Sequence, residues 1–248
     1  MSGFDPSAYD SSVGDEYDLL YPSEAFETET AVTVLAALAH AHGGKSAIEF
    51  GIGTGRIALG LHRLGLAVSG IDGSERMVAQ LRRKPQGASI PVWIGDFRST
   101  CIGETAAVVV LVFNGIFHPS GRAAQLEIFR NAARHLLTGG FFVVETLVLG
   151  DRQQNGQWSI SPRYVGRDHV ELQALRFDSS SRRLERNLIH IRPQGLRVIP
   201  TADIYVSPQE LDELAEATGF QLADRRASWS GKPFEDTSPR QVSVYQLR

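Results

Sequence analysis

Glu49, Gly51, Gly53, Gly55 and Asp72 are the residues of this chain whose types and spacing can do chemistry together. The stretch Ala47-Ile48-Glu49-Phe50-Gly51-Ile52-Gly53-Thr54-Gly55-Arg56 reads as a buried strand passing through a glycine turn into a helix. Alternate glycines let the backbone turn tightly and meet a ligand closely, because no Cβ intervenes and positive φ carries no penalty. A second strand over 67–71 then delivers Asp72, 21 residues after Gly51, the spacing at which such folds place a carboxylate on ribose hydroxyls. Glu49 stands two residues before the first glycine, where a carboxylate repels a pyrophosphate and attracts an ammonium or sulfonium. The sixth position of a dinucleotide-type G-x-G-x-x-G, where helix and strand pack closely, is Arg56. Both features disfavour an NAD(P)-dependent oxidoreductase.

A second group closes the fourth apolar run. Residues 106–113 are apolar throughout, as in a parallel strand buried on both faces, and lead into Asn114-Gly115-Ile116-Phe117-His118-Pro119. In doubly wound sheets the ligand lies beyond the carboxyl ends of the central strands. Phe113, Asn114 and His118 therefore face the reacting atom, and an imidazole there suits proton removal from an amine, phenol or alcohol. The plain alternative for His118 is a loop histidine bonded to backbone.

Together these features resemble motif I and its surroundings in the class I S-adenosylmethionine (SAM)-dependent methyltransferases, over nearly the whole chain and most closely from Ser46 to Val144. SAM carries both cations that Glu49 suits. The resemblance implies SAM held by Tyr17, Glu49, Gly51, Gly53, Gly55, Asp72, Gly73, Met77, Asp96, Phe97, Phe113 and Asn114. Glu49 would lie near the amino-acid end and Asp72 on the ribose, with Met77, Asp96 and Phe97 about the adenine; a Met at helical spacing also suits the core. It further implies that 1–22, with Tyr9, Tyr17 and Tyr21 on a polar background, folds over the cofactor as a lid, although each tyrosine singly reads equally as an anchor. The Tyr9 to Tyr17 spacing, His118, and Ser238-Pro239-Arg240 before the last strand resemble the nucleotide-sugar N,N-dimethyltransferases of natural-product pathways. On that likeness Tyr9 and His118 act at the reacting centre, Tyr21 meets the substrate, and Arg240 meets the phosphates of a nucleotide-linked substrate. The chain departs from that group after strand five, where Thr146-Leu147-Val148 replaces a Pro-Trp-Trp run. Methyl transfer from SAM to N, O or C of a small molecule is the expected activity. A SAM-binding protein that does not methylate, being regulatory or using the fold for another reaction, keeps the same loop and is the alternative.

The elements that must position these residues follow from periodicity and punctuation. Helices are expected over 57–64, with Ile57, Leu61 and Leu64 inward and Gly65 as cap, and over 74–84, with Met77, Val78 and Leu81 inward. Others are expected from about 23 to 41 and over 122–137, with Leu126, Phe129, Ala133 and Leu136 inward and Gly139-Gly140 as the stop. Strands one to five alternate with them, strand five over 141–147. Beyond Gly150 three extended segments, 168–177, 183–192 and 197–206, read as antiparallel. Ser207-Pro208-Gln209-Glu210 is a capping box that opens a helix before strands over 220–226 and 241–247. The expected fold is α/β: one domain over 1–248, a doubly wound Rossmann-like seven-stranded sheet with its last strand antiparallel, and an antiparallel insertion over 151–206 on the substrate side.

With 248 residues and a formal net charge of −3, the chain lacks the basic footprint of a nucleic-acid binder. Cys101 is the single cysteine, which excludes an internal disulfide and any multi-cysteine metal site. No metal is expected. Nothing at the N-terminus reads as a signal, and no apolar run approaches the length of a membrane span. A cytoplasmic protein with a small-molecule substrate, and a possible homodimer, is the expectation.

Overall fold

The computed structural model describes residues 17–21, 27–118, 121–150 and 155–248. Tyr9 and most of the expected lid lie outside them. A short helix, Tyr17–Leu20 (α1), precedes Thr28–Ala41 (α2), whose Ala31, Val32, Leu35 and Ala39 are buried at helical spacing. Then β1 (Ser46–Phe50), α3 (Ala58–Arg63), β2 (Ala67–Asp72), α4 (Glu75–Arg83), β3 (Val92–Ile94), β4 (Ala106–Leu111), α5 (Arg122–Arg134) and β5 (Leu136–Leu147) alternate. Four strands follow: β6 (Trp158–Val165), β7 (Val170–Asp178), β8 (Arg183–Arg192) and β9 (Gly195–Ile204). The described chain closes with α6 (Pro208–Glu216), β10 (Phe220–Arg226) and β11 (Arg240–Leu247).

The large sheet has the order β10-β11-β5-β4-β1-β2-β3. Strands β1 to β5 pair in parallel, and β11 inserts antiparallel between β5 and β10. Alternate residues of the central strands feed opposite cores. Val109, Phe142 and Val144 pack with Phe129 of α5 and Leu211 of α6, whereas Val108, Val110 and Val143 pack with Leu35 of α2 and Leu61 of α3. All six residues of β4 are buried, which is why its sequence is an uninterrupted β-branched and small apolar run. The capping box forms as expected: the Ser207 hydroxyl accepts from the Glu210 N–H, and the Glu210 carboxylate accepts from the Ser207 N–H.

Several expectations are corrected. Leu64 is 53% exposed, because α3 ends at Arg63 and Gly65, at φ +84°, turns the chain away before Leu64 can reach the core. Strand four stops at Leu111, two residues early, since Phe113 and Asn114 are left-handed at φ +56° and +64°. Helix α5 stops at Arg134. There the buried His135 donates from Nδ1 to the Asn131 carbonyl at 2.7 Å and accepts at Nε2 from the Ile102 N–H at 3.1 Å. Leu136 therefore opens β5, opposite Ala106, and Gly139-Gly140 lie inside that strand at an irregularity of its register rather than behind a helix. The buried side of α5 is Gln125, Ile128, Phe129 and Ala132, with Leu126 and Ala133 only half-buried. The insertion has four strands, not three. Its edge strand β6 is exposed at every position, so burial imposed no alternation by which to recognise it.

Candidate functional site

The glycine turn leaves β1 with Gly51, Gly53 and Gly55 all at positive φ, +69°, +54° and +81°. The loop is held from β2. One Asp72 carboxylate oxygen accepts from the Gly53 N–H at 2.6 Å and the other from the Ser74 N–H at 2.8 Å, while the Ser74 hydroxyl caps α4. A carboxylate offers about four lone pairs, so Asp72 can hold the loop and still accept from a ligand. Gly51 and Gly53 form a cradle. A Cβ on Gly53 would stand 3.3 Å from Met77 Cε, in a conformation that side chains rarely adopt. Gly55 serves packing instead, since a Cβ there would meet Leu81 at 2.4 Å.

Glu49 is buried at the end of β1 and accepts at Oε2 from the Ala58 N–H at 3.0 Å, the first residue of α3. Burial pushes its carboxyl up to about 8 against the opposing pull of Arg56 and that hydrogen bond. A ligand cation beside it would restore the ionised form. Asp96 and Phe97 stand after β3, with the Phe97 ring stacked on Phe50 at 6.1 Å. The Asp96 carboxylate is engaged by Arg98, whose Nε donates at 2.7 Å.

These groups line one cavity with about 1090 Å³ of empty space, part of it open to solvent. Tyr17, Glu49, Gly51, Gly53, Asp72, Gly73, Met77, Asp96, Phe97, Phe113 and His118 are all on its wall. A concave wall that mixes acids with apolar and aromatic groups in this way suits a nucleoside with an amino-acid arm. The donor set suits such a ligand: an acid for an ammonium, an acid for a diol, and apolar Met77 and Phe97 for a base. Asn114 is not on the wall. Its Oδ1 accepts from the Leu147 N–H at 2.6 Å, which fastens the loop after β4 to β5.

Helix α1 lies across the mouth. The Thr54 hydroxyl donates to Asp18 at 2.6 Å, Lys84 contacts Asp18 at 2.5 Å, and the Tyr21 ring meets Phe113 edge-on at 5.3 Å. Tyr21 and Phe113 also line a second, smaller cavity against the four-stranded sheet, with Arg163, Gln173, Arg186 and Thr201. Phe113 is thus the wall common to both. Arg240 lines neither: its guanidinium donates to Glu27 at 2.5 Å and stands 3.9 Å from Glu145.

His118 joins the two sheets. Its Nδ1 lies 2.8 Å from Asp203 Oδ1 on β9, and Asp203 also accepts from Arg186 on β8. Burial alone would raise the Asp203 carboxyl, but Arg186 and the His118 hydrogen bond outweigh it and hold it at about 2. An ionised acceptor at Nδ1 places the imidazole proton there and leaves Nε2 as the basic nitrogen. Asp203 and Arg186 escaped the sequence reading. The available signal was a charged pair on strands that share their inward face with the buried apolar Leu184, Leu188 and Ile199.

A methyltransferase-domain family model matches residues 47–140. The CcbJ methyltransferase of Streptomyces caelestis is 30% identical; the alignment covers 98% of this chain and 99% of that one, with a TM-score of 0.88. The cypemycin N-terminal methyltransferase of a Streptomyces species is 22% identical over 243 residues, 98% of each chain. The SAM-bound CalS10, an amino pentose methyltransferase of Micromonospora echinaspora, shares the fold at a TM-score of 0.72, with 19% identity and coverage of 94% and 96%.

Proposed function

This chain belongs to the SAM-dependent methyltransferases, and on that premise we infer that it methylates a nitrogen of a small natural product, with His118 taking the acceptor's proton. The contact that carries the reading is His118 with Asp203. A protonated amine cannot attack a methyl group until it loses a proton, and a histidine with one nitrogen committed to a buried carboxylate presents the other as the base. SAM supplies an electrophilic methyl on a sulfonium. The chain's own part is then to hold and to deprotonate. Glu49 would take the ammonium of the amino-acid arm, Asp72 the ribose hydroxyls, and Met77, Asp96 and Phe97 the adenine side, while Tyr17 and Gly73 line the same space. The acceptor nitrogen would reach this pocket past Phe113, beside His118, with the rest of the acceptor in the smaller cavity beside Tyr21. A nitrogen acceptor is favoured by the names of two relatives, an N-terminal methyltransferase and an amino pentose methyltransferase. A phosphate contact for Arg240 has no such support, because Glu27 and Glu145 already neutralise it.

The same reading covers partners. The outward face of the four-stranded sheet exposes Ile160 at 66%, Leu196 at 65% and Val198 at 46%, beside Leu172 and Ile189 in cross-strand register with Val198. An apolar face of that extent exceeds scattered surface residues, and a second copy of this chain is the occupant we infer. Among the described residues no helix is long and apolar enough to cross a membrane. With a net charge of −3, a cytoplasmic enzyme without nucleic-acid partners fits best.

Calorimetry with SAM and with NADH, then turnover of amine and hydroxyl natural products with mass detection, tests the reading. SAM binding with methyl gain on an amine is the expected result. SAM binding with a product that carries no new methyl would replace methylation by another reaction on the same fold.

A further inference from the structure

We propose that His169, Glu171 and His190 form a binding site for a divalent transition metal, zinc being the best match, at the far end of the inward face of the four-stranded sheet. The site is assembled by register. Glu171 on β7 lies directly opposite His190 on β8, and His169 ends the turn between β6 and β7, where its carbonyl accepts from the Gly166 N–H at 2.8 Å. Three donor atoms converge: His169 Nε2 and His190 Nδ1 are 3.1 Å apart, and Glu171 Oε1 lies 3.5 Å from the first and 3.3 Å from the second. Ligands at ~2.0–2.2 Å from a tetrahedral zinc are separated by roughly 3.3 to 3.6 Å, so the triangle is nearly the face of such a site before any metal enters.

Two imidazoles and one carboxylate are a donor set that zinc accepts with its fourth position left to water. The side chains are 23%, 15% and 3% exposed for His169, Glu171 and His190, which leaves an entry path on the His169 side only. Arg192, two residues on along β8, and Arg197, opposite His190 on β9, bring positive charge beside the cluster. The same two arginines oppose a cation, so micromolar affinity is expected. Because the single cysteine bears only on thiolate sites, it says nothing against this one. Along β9, Arg197 opposite His190 and Asp203 beside His118 are six residues apart, about 20 Å of extended strand. The metal therefore does not act on the methyl acceptor. It ties the β6–β7 turn to β8 and stiffens the sheet that covers the acceptor.

The test is Co2+ titration of the tag-free, chelator-treated full chain, followed by displacement with Zn2+. One equivalent with the visible bands of four-coordinate cobalt is expected. A rise in Tm of at least ~4 °C should accompany Zn2+ at about 100-fold over its Kd. His169→Asn and Glu171→Gln should each weaken Zn2+ by at least ~100-fold while SAM affinity, as a measure of intact fold, stays unchanged. No stoichiometric cobalt spectrum, or wild-type binding in both variants, overturns the proposal and leaves the cluster as hydrogen bonds between side chains.

Discussion

The role proposed for His118 rests on its contact with Asp203, and that makes the role testable. His118→Ala should lower kcat by ~10² to 10⁴ and leave SAM affinity nearly intact, since the cofactor pocket is built mainly from β1 to β3. His118→Asn should recover little if the imidazole moves a proton and most of the rate if it only orients the acceptor; a pH–rate profile separates the two. Asp203→Asn should cut kcat through the wrong tautomer without touching SAM binding. At Glu49 the sign runs opposite to the usual carboxylate. Its folded-state pKa, about 8, lies above the ordinary value of 4.5, so its contribution to stability is fully present below 4.5 and is lost as pH rises through about 8. The ligand-free enzyme should accordingly lose stability between those values, and Glu49→Gln should flatten that slope. Because a ligand cation favours the ionised form, SAM binding near neutral pH should release a proton, measurable by calorimetry in buffers of different ionisation heat and missing in Glu49→Gln.

At the scale of elements, the glycine loop and the strand that holds it form one unit. Gly53→Val would force a branched side chain onto φ +54° and against Met77 Cε, filling the cradle. SAM binding should fall below detection while Tm drops only a few degrees; normal SAM affinity in that variant would reduce the loop to a structural turn. This unit was legible because its parts are local. Glycine at alternate positions, a carboxylate at a fixed distance and the capping serine of α4 all lie between residues 49 and 77. The end of α5 was not legible in the same way. Two glycines read as a helix stop, yet a buried histidine had already ended the helix by bonding back to Asn131 and across to Ile102, and the glycines went into a strand.

For the whole molecule, the arrangement of two sheets carries both the smaller cavity beside Tyr21 and the exposed apolar face. Ile160→Glu combined with Leu196→Glu should shift a dimer to monomer in light scattering and leave SAM affinity unchanged; a wild-type chain that is monomeric at tens of micromolar would remove the dimer. The doubly wound architecture of the large sheet was readable from alternating helix and strand signals, since short connections leave few topologies for a parallel sheet with right-handed crossovers. Most of the residues that line the large cavity were readable with it. The pairing of His118 with Asp203, 85 residues apart in sequence, was not, nor was the neutralisation of Arg240 by Glu27 across 213 residues. Periodicity and motif spacing report what a residue does within its own element. Which charged side chains meet across two sheets depends on register and on the angle at which the sheets pack, and those are set by the sum of the core contacts rather than by any local run of residues.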